Sequence, residues 1–173
     1  MNLKETIRTV PNWPVEGVMF RDITTLTQNP KALQAACDAL YDRYKDMNLD
    51  KIVGIDARGF IFGAVLAYKL GIGFVPVRKK GKLPFDTISE TYSLEYGKDT
   101  VEMHVDAIEK GEKVVVVDDL IATGGTMYAA TQLVEKLGGE VVECSFIIDL
   151  PDLKGKDKLN EYKIFSLMEF DGE

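Results

Sequence analysis

The chain is predicted to fold as an α/β protein built on a mostly parallel, doubly wound sheet with flanking helices, and three observations carry that expectation. Val114-Val115-Val116-Val117 sets four β-branched residues in a row, which suits a strand buried on both faces rather than one. From Lys51 to Ile148 such apolar strands alternate with helical patterns, the order in which crossover helices join parallel strands. Two of the strands end abruptly in charge, at Asp56-Ala57-Arg58-Gly59 and at Asp118-Asp119, and the carboxyl rim of an open α/β sheet is where ligands bind.

In chain order, Leu3 to Val10 reads as a short helix and Pro11 to Gly17 as an interruption. Val18 to Ile23 reads as an extended piece in which Phe20, taken alone, suits a core and Arg21-Asp22 a surface ion pair. Pro30 opens a scaffold helix through Met47, with Leu33, Ala36, Cys37, Leu40, Tyr41 and Tyr44 at helical spacing. Ile52 to Ile55 is a second buried strand, followed by a turn and a helix to about Leu70. Arg58 beside that helix start suits an anion such as pyrophosphate, but an Asp56–Arg58 ion pair fits the residues equally well.

Phe74 to Val77 is a third strand, and Arg78-Lys79-Lys80-Gly81-Lys82 follows with four cations in five residues. Such a run is a solvated loop or, on an acidic chain, a positive spot for a highly charged leaving group. Leu83 to Lys98 is polar, and Val101, Met103 and Val105 alternate with Glu102, His104 and Asp106 as in a half-exposed strand. Together these segments predict a β-flap over a ligand site, with His104 facing solvent. Val141 to Ile148 and Ile164 to Met168 are the last strands, joined by a charged connector from Pro151 to Asn160 that contains Leu153-Lys154-Gly155.

A length of 173 residues at 46% hydrophobic content predicts one domain over 1–173. The net charge of −7 argues against broad nucleic-acid or anionic-membrane binding. No apolar run reaches the length of a membrane span and no signal-peptide core opens the chain, so a cytoplasmic protein is expected. Cys37 and Cys144 stand apart in apolar patterns and read as buried thiols.

The stretch after the four valines carries the chemistry. Adjacent acids at the end of a buried strand repel one another and lose solvation, a poor structural choice unless they hold cations or hydroxyls. Ala122-Thr123-Gly124-Gly125-Thr126 is small and hydroxyl-bearing, and the helix after it shows Ala130, Leu133, Val134 and Leu137 on one stripe before Gly138-Gly139. Acid pair, glycine loop and helix start make a phosphate cradle beside a diol-binding pair. An ordinary βα turn explains the glycines but not both acids. A P-loop needs a lysine that Gly124-Gly125-Thr126 lacks, and a receiver domain typically places its acids on the first strand.

Val114 to Thr126 resembles the phosphoribosyl pyrophosphate motif of type I phosphoribosyltransferases. Pro14-x-x-Gly17-Val18-x-Phe20-Arg21-Asp22-Ile23, Arg58-Gly59-Phe60, Arg78-Lys79-x-Gly81-Lys82-Leu83-Pro84 and Ser93-Leu94-Glu95-Tyr96-Gly97 are similar to the adenine phosphoribosyltransferases, so the resemblance spans nearly the whole chain. It implies a hood at about 1–29, a flap at about 79–106, and transfer of the 5-phosphoribosyl group of phosphoribosyl pyrophosphate to adenine, giving AMP and pyrophosphate. It implies that Asp118 and Asp119 hold the ribose hydroxyls and that Ala122, Thr123, Gly124, Gly125 and Thr126 hold the 5′-phosphate. Asp56, Ala57, Arg58, Arg78 and Lys82 are implied for pyrophosphate. Met19 and Arg21 through backbone groups, Phe20 through its ring, and Leu120 and Ile121 across from it are implied for adenine. Glu95 is implied near adenine N7, with Arg58 and Lys82 assisting catalysis. Magnesium held mainly by substrate and water, and a homodimer in which a cation such as Arg78 reaches the neighbouring site, complete the set. Two alternatives are the same chemistry on another base, which the hood sequence opposes, and a non-catalytic regulator that senses phosphoribosyl pyrophosphate and binds nucleic acid, for which an acidic single domain has no basic module.

Overall fold

The computed structural model describes residues 1–94 and 96–172. In chain order its elements are β1 (Arg8–Pro11), β2 (Met19–Asp22), α1 (Thr24–Thr27), α2 (Pro30–Tyr44), β3 (Lys51–Ile55), α3 (Arg58–Leu70) and β4 (Gly73–Lys79). There follow β5 (Thr87–Ser93), β6 (Lys98–His104), β7 (Lys113–Ile121), α4 (Gly125–Lys136), β8 (Glu140–Asp149) and β9 (Ile164–Glu169). Among the described residues the main sheet has the order β5-β6-β4-β3-β7-β8-β9, and β1 and β2 form a separate antiparallel pair. The run β4-β3-β7-β8-β9 is parallel throughout, with β6 antiparallel to both β4 and β5.

The sheet is doubly wound, and β7 shows why its valines do not alternate with polar residues. Val115 and Val117 pack with Leu40 of α2 and Phe62 and Leu66 of α3, while Val114 and Val116 pack on the other face with Ala130, Leu133 and Val134 of α4. Successive side chains of a strand point to opposite faces, so burial on both demands an unbroken apolar run. After β3 the chain crosses to β4 on one side, and β7 later joins on the other. The carboxyl ends of β3 and β7 therefore flank the point where strand order reverses.

Several expected elements differ in extent. Leu3 to Val10 is not a helix: a single 3₁₀ turn over Leu3–Thr6 gives way to β1, because Arg8 to Pro11 pair with Asp22 to Met19. The scaffold helix stops at Tyr44 rather than Met47; its start is capped by the Asn29 side chain, which accepts from the N–H groups of Lys31 and Ala32. The strand expected at 74–77 runs on to Lys79. The alternation from Val101 to Asp106 does not mark a half-exposed strand. β6 is inserted between β4 and β5, so Glu102 is buried and accepts from Gly81 N–H at 2.7 Å and Thr87 Oγ1 at 3.0 Å. The β5–β6 hairpin lies against the start of α4 through Thr126 Oγ1 and Tyr92 Oη, 3.1 Å apart. Cys37 and Cys144 are buried free thiols, and burial pushes Cys144 up to about 12.

Candidate active site

Asp118 and Asp119 close β7 at the reversal point. Asp119 is 5% exposed and donates its backbone N–H to Asp118 Oδ1 at 2.8 Å, which holds the Asp118 carboxylate against the following amide. Burial, and then the Asp119 charge, push the Asp118 carboxyl well above the ordinary 3.8. Arg58, the first residue of α3, crosses from β3 to meet them, with Nε 2.5 Å from Asp119 Oδ2. Partial burial opposes the Arg58 charge, but Asp119 outweighs it and the guanidinium is held more firmly protonated than usual. The close approach of α3 to β7 requires Gly59: a Cβ there would lie 2.7 Å from the Val117 carbonyl oxygen and 3.1 Å from Asp118 Cα.

The predicted Asp56–Arg58 ion pair does not form. Asp56 takes Arg78 at 3.0 Å instead, because Arg58 turns toward the acid pair. The Arg21–Asp22 pair is likewise absent: Asp22 takes Arg8 at 2.6 Å. Arg21 donates to Thr9 Oγ1 and to the Asp171 carbonyl, which leads its side chain away toward the C-terminal segment.

Arg58 lines four cavities: one of about 310 Å³ lies behind Phe20 against Val10, Trp13 and Thr24, and the other three lie along the rim. One of about 210 Å³ is formed by the acid pair and the loop from Ala122 to Thr126. A second, about 230 Å³, lies beside Asp56, Ala57, Lys79 and the acid pair. The third, about 270 Å³ and largely apolar, lies between Met19, Phe20 and Arg21 on one side and Leu120, Leu150 and Leu153 on the other. Phe20 is held edge-on by Trp13, with ring centres 4.6 Å apart. Gly124, at φ +85, lets the loop turn into α4 while its residues line the first rim cavity.

Met19, Phe20, Arg21, Leu120, Asp56, Ala57, Arg58, Asp118, Asp119 and the loop 122–126 are thus gathered as expected. Ile121 is not on the apolar cavity with Leu120; one step along the strand turns it to the opposite face, where it is 1% exposed. Arg78 and Lys82 do not line the second cavity, Arg78 being turned to Asp56 and Lys82 lying exposed on the turn after β4. Glu95 lies outside the described residues. Of the cations from Arg78 to Lys82, Lys79 does line this cavity, beside Arg58; it pairs with Asp99 and reaches Tyr92 Oη at 3.2 Å. Extending the strand period by two residues from Val77 would have singled it out. Leu150 and Leu153 also escaped notice, since nothing local marks a charged connector as part of an apolar wall.

Residues 22–172 match the family model described as a phosphoribosyl transferase domain. The adenine phosphoribosyltransferase of Desulfosudis oleivorans is 72% identical over 173 residues, covering all of both chains. The crystal structure of the adenine phosphoribosyltransferase from Thermoanaerobacter pseudethanolicus superposes with a TM-score of 0.94 at 49% identity, over 97% of this chain and 98% of that one. That of the Saccharomyces cerevisiae enzyme, complexed with an imino-altritol bisphosphate and adenine, gives 0.91 at 44% identity over 96% of each chain. With the acid pair, the Thr-Gly-Gly-Thr loop and the rim cavities in the same chain, these matches place the protein in the phosphoribosyl transferase family, among its adenine phosphoribosyltransferases.

Proposed function

We propose that the protein transfers the 5-phosphoribosyl group of phosphoribosyl pyrophosphate to adenine, releasing AMP and pyrophosphate. The observation that carries this is the meeting of three unlike cavities at one arginine: a glycine-loop cavity, a charged cavity lined by Arg58, Lys79 and three carboxylates, and an apolar slot, sized for a phosphate, a pyrophosphate and a flat base. The yeast relative crystallised with adenine and a bisphosphate supports the same division.

In this assignment the amides and hydroxyls of Ala122 to Thr126 hold the 5′-phosphate, and Asp118 and Asp119 hold the ribose hydroxyls. Binding energy far from C1′ then fixes the reacting carbon. Both carboxylates also face the positive charge that grows on the sugar as pyrophosphate leaves. Arg58, Asp56 and Ala57 bind pyrophosphate. Lys79 joins them by its place in the cavity, while Lys82 and Arg78 contribute from the flap and from a neighbouring subunit of a homodimer. Phe20 stacks on adenine against Leu120. The main chain of Met19 and Arg21 matches the N1 acceptor and N6 donor of adenine, a pattern that a 6-oxopurine reverses. Residues 1–29 act as hood and 79–106 as flap of one domain. Glu95 is assigned to adenine N7, where it accepts or shares a proton as the N9 proton is lost.

Magnesium fits this site only as a substrate-bound ion. Among the described residues no cluster of three or more metal-ligating side chains occurs, whereas two rim carboxylates and the substrate's own oxygens match the way magnesium is usually held. When bound, it neutralises pyrophosphate charge. No helix among the described residues is long and apolar enough to cross a membrane, and the enzyme is assigned to the cytoplasm.

The test is to incubate the protein with magnesium, phosphoribosyl pyrophosphate and each nucleobase in turn, and to measure nucleotide formed. AMP from adenine alone is expected. Product from another base would overturn the base assignment, and no product with any base would overturn the activity.

A further inference from the structure

The connector between β8 and β9 is charged and mostly exposed, yet Gly155 within it is buried against the loop assigned to the 5′-phosphate. A Cβ at Gly155 would collide with the Ala122 carbonyl oxygen and lie 2.8 Å from Ile121 Cγ1. A Cβ at Gly124 would lie 2.5 Å from the Gly155 carbonyl oxygen. The two backbones therefore meet with no side chain between them, and the connector packs directly on the loop.

That arrangement has a cost, because Lys154 is held at φ +56, a region that side-chain-bearing residues avoid. Two anchors hold it. Leu150 N–H donates to the Ile121 carbonyl at 3.1 Å, and Lys156 Nζ lies 2.9 Å from Asp149 Oδ2. Asp149 is 1% exposed at the end of β8, and among the described residues Lys156 is the cation paired with it. Glu169 lies farther from the same ammonium, at 3.8 Å. The contact is an ion pair without hydrogen-bond alignment, Asp149 Oδ2 having no hydrogen-bond partner among the described residues, so it stabilises the fold weakly and holds the strand end to the connector through charge.

We propose that the connector, latched by Asp149 and Lys156 and seated through Gly155, positions the 5′-phosphate loop, so that its amides are preorganised before substrate arrives. The proposal rests on the assignment of Ala122 to Thr126 to the 5′-phosphate. Asp149, Gly155 and Lys156 are positioning residues that touch no reacting atom. Leu153 extends from the same connector into the apolar slot, so one short segment buttresses the loop and lines the base pocket.

The experiment measures ribose 5-phosphate binding by calorimetry, and KM and kcat for phosphoribosyl pyrophosphate, in the wild type and in Lys156→Ala, Lys156→Arg, Asp149→Asn and Gly155→Ala. Loss of the latch is expected to weaken ribose 5-phosphate by about fivefold or more and raise KM in proportion, with kcat within about twofold. Lys156→Arg is expected to restore both. Asp149→Asn separates positioning from simple charge: removing a negative charge near a phosphate tightens binding by Coulomb's law, whereas losing the latch weakens it. Gly155→Ala changes no charge and is expected to give the same split, which keeps the test intact if Asp149→Asn fails to fold. Wild-type affinity in both Lys156→Ala and Gly155→Ala, or tighter binding in Asp149→Asn, overturns the proposal alone. A wild-type protein that does not bind ribose 5-phosphate overturns the loop assignment and the proposal with it.

Discussion

Asp118 is placed where it is least comfortable, beside a second carboxylate at the end of a buried strand, and the discomfort has a measurable sign. Its carboxyl is raised by burial and by Asp119, so the fold favours the protonated form. That preference stabilises the protein below the unfolded value of 3.8 and is lost as pH rises through the folded one. Asp118→Asn, which stays neutral, is therefore expected to melt higher than wild type near neutral pH. The difference should vanish in scans below pH 3.8. The same variant is expected to bind phosphoribosyl pyrophosphate on the order of tenfold more weakly, since a charged acceptor for ribose hydroxyls is gone. Equal melting at neutral pH would mean that the acid pair is not strained in the free protein. Lys79 makes a related point: the cation of this run that reaches the second rim cavity is selected by strand parity, which its three neighbouring cations conceal.

At the scale of elements, the β1–β2 pair is tied down chiefly at Asp22. Hydrogen bonding by Thr24 and then Arg8 holds its carboxyl down to about 2. A lowered carboxylate adds stability above its unfolded value, and that stability is lost as pH falls through the folded one. Denaturation midpoints of wild type and Asp22→Asn are expected to differ at neutral pH, with wild type higher, and to converge between pH 3.8 and about 2. A constant difference across that range would assign the loss to packing rather than charge. The β5–β6 hairpin is anchored at both ends of α4, through Tyr92 with Thr126 and through Lys136 with Glu90 at 2.5 Å. This explains why the strand expected to be half-exposed is buried: β6 is an interior strand of the sheet, and only the hairpin tip, with Leu94 and Tyr96, projects.

For the whole molecule, the proposed homodimer is expected to sediment at twice 19.3 kDa. Arg78 pairs with Asp56 of its own chain, so the proposal that it serves a neighbouring site requires that pair to open. Mixing an Arg78→Ala chain with an Arg58→Ala chain decides this. If Arg78 crosses between subunits, each heterodimer regains one complete site and activity returns; if it acts within its own chain, the mixture stays as inactive as its parts.

The sheet, its two faces of helices and the position of the rim were legible in the sequence because they rest on local rules. An unbroken valine run implies burial on both faces, helical spacing implies a packed stripe, and paired acids before glycines imply a ligand. Motif resemblance added the substrate classes. Four features required the tertiary structure: the turn of Arg58 from Asp56 to Asp119, the exclusion of Ile121 from the apolar slot, the entry of Lys79 into the second rim cavity, and the seating of Gly155 beneath Ala122. Each depends on which distant segment lies across the rim. Sequence periodicity reports the face on which a residue sits, whereas the partner opposite that face is set only when strands far apart in the chain come to lie side by side.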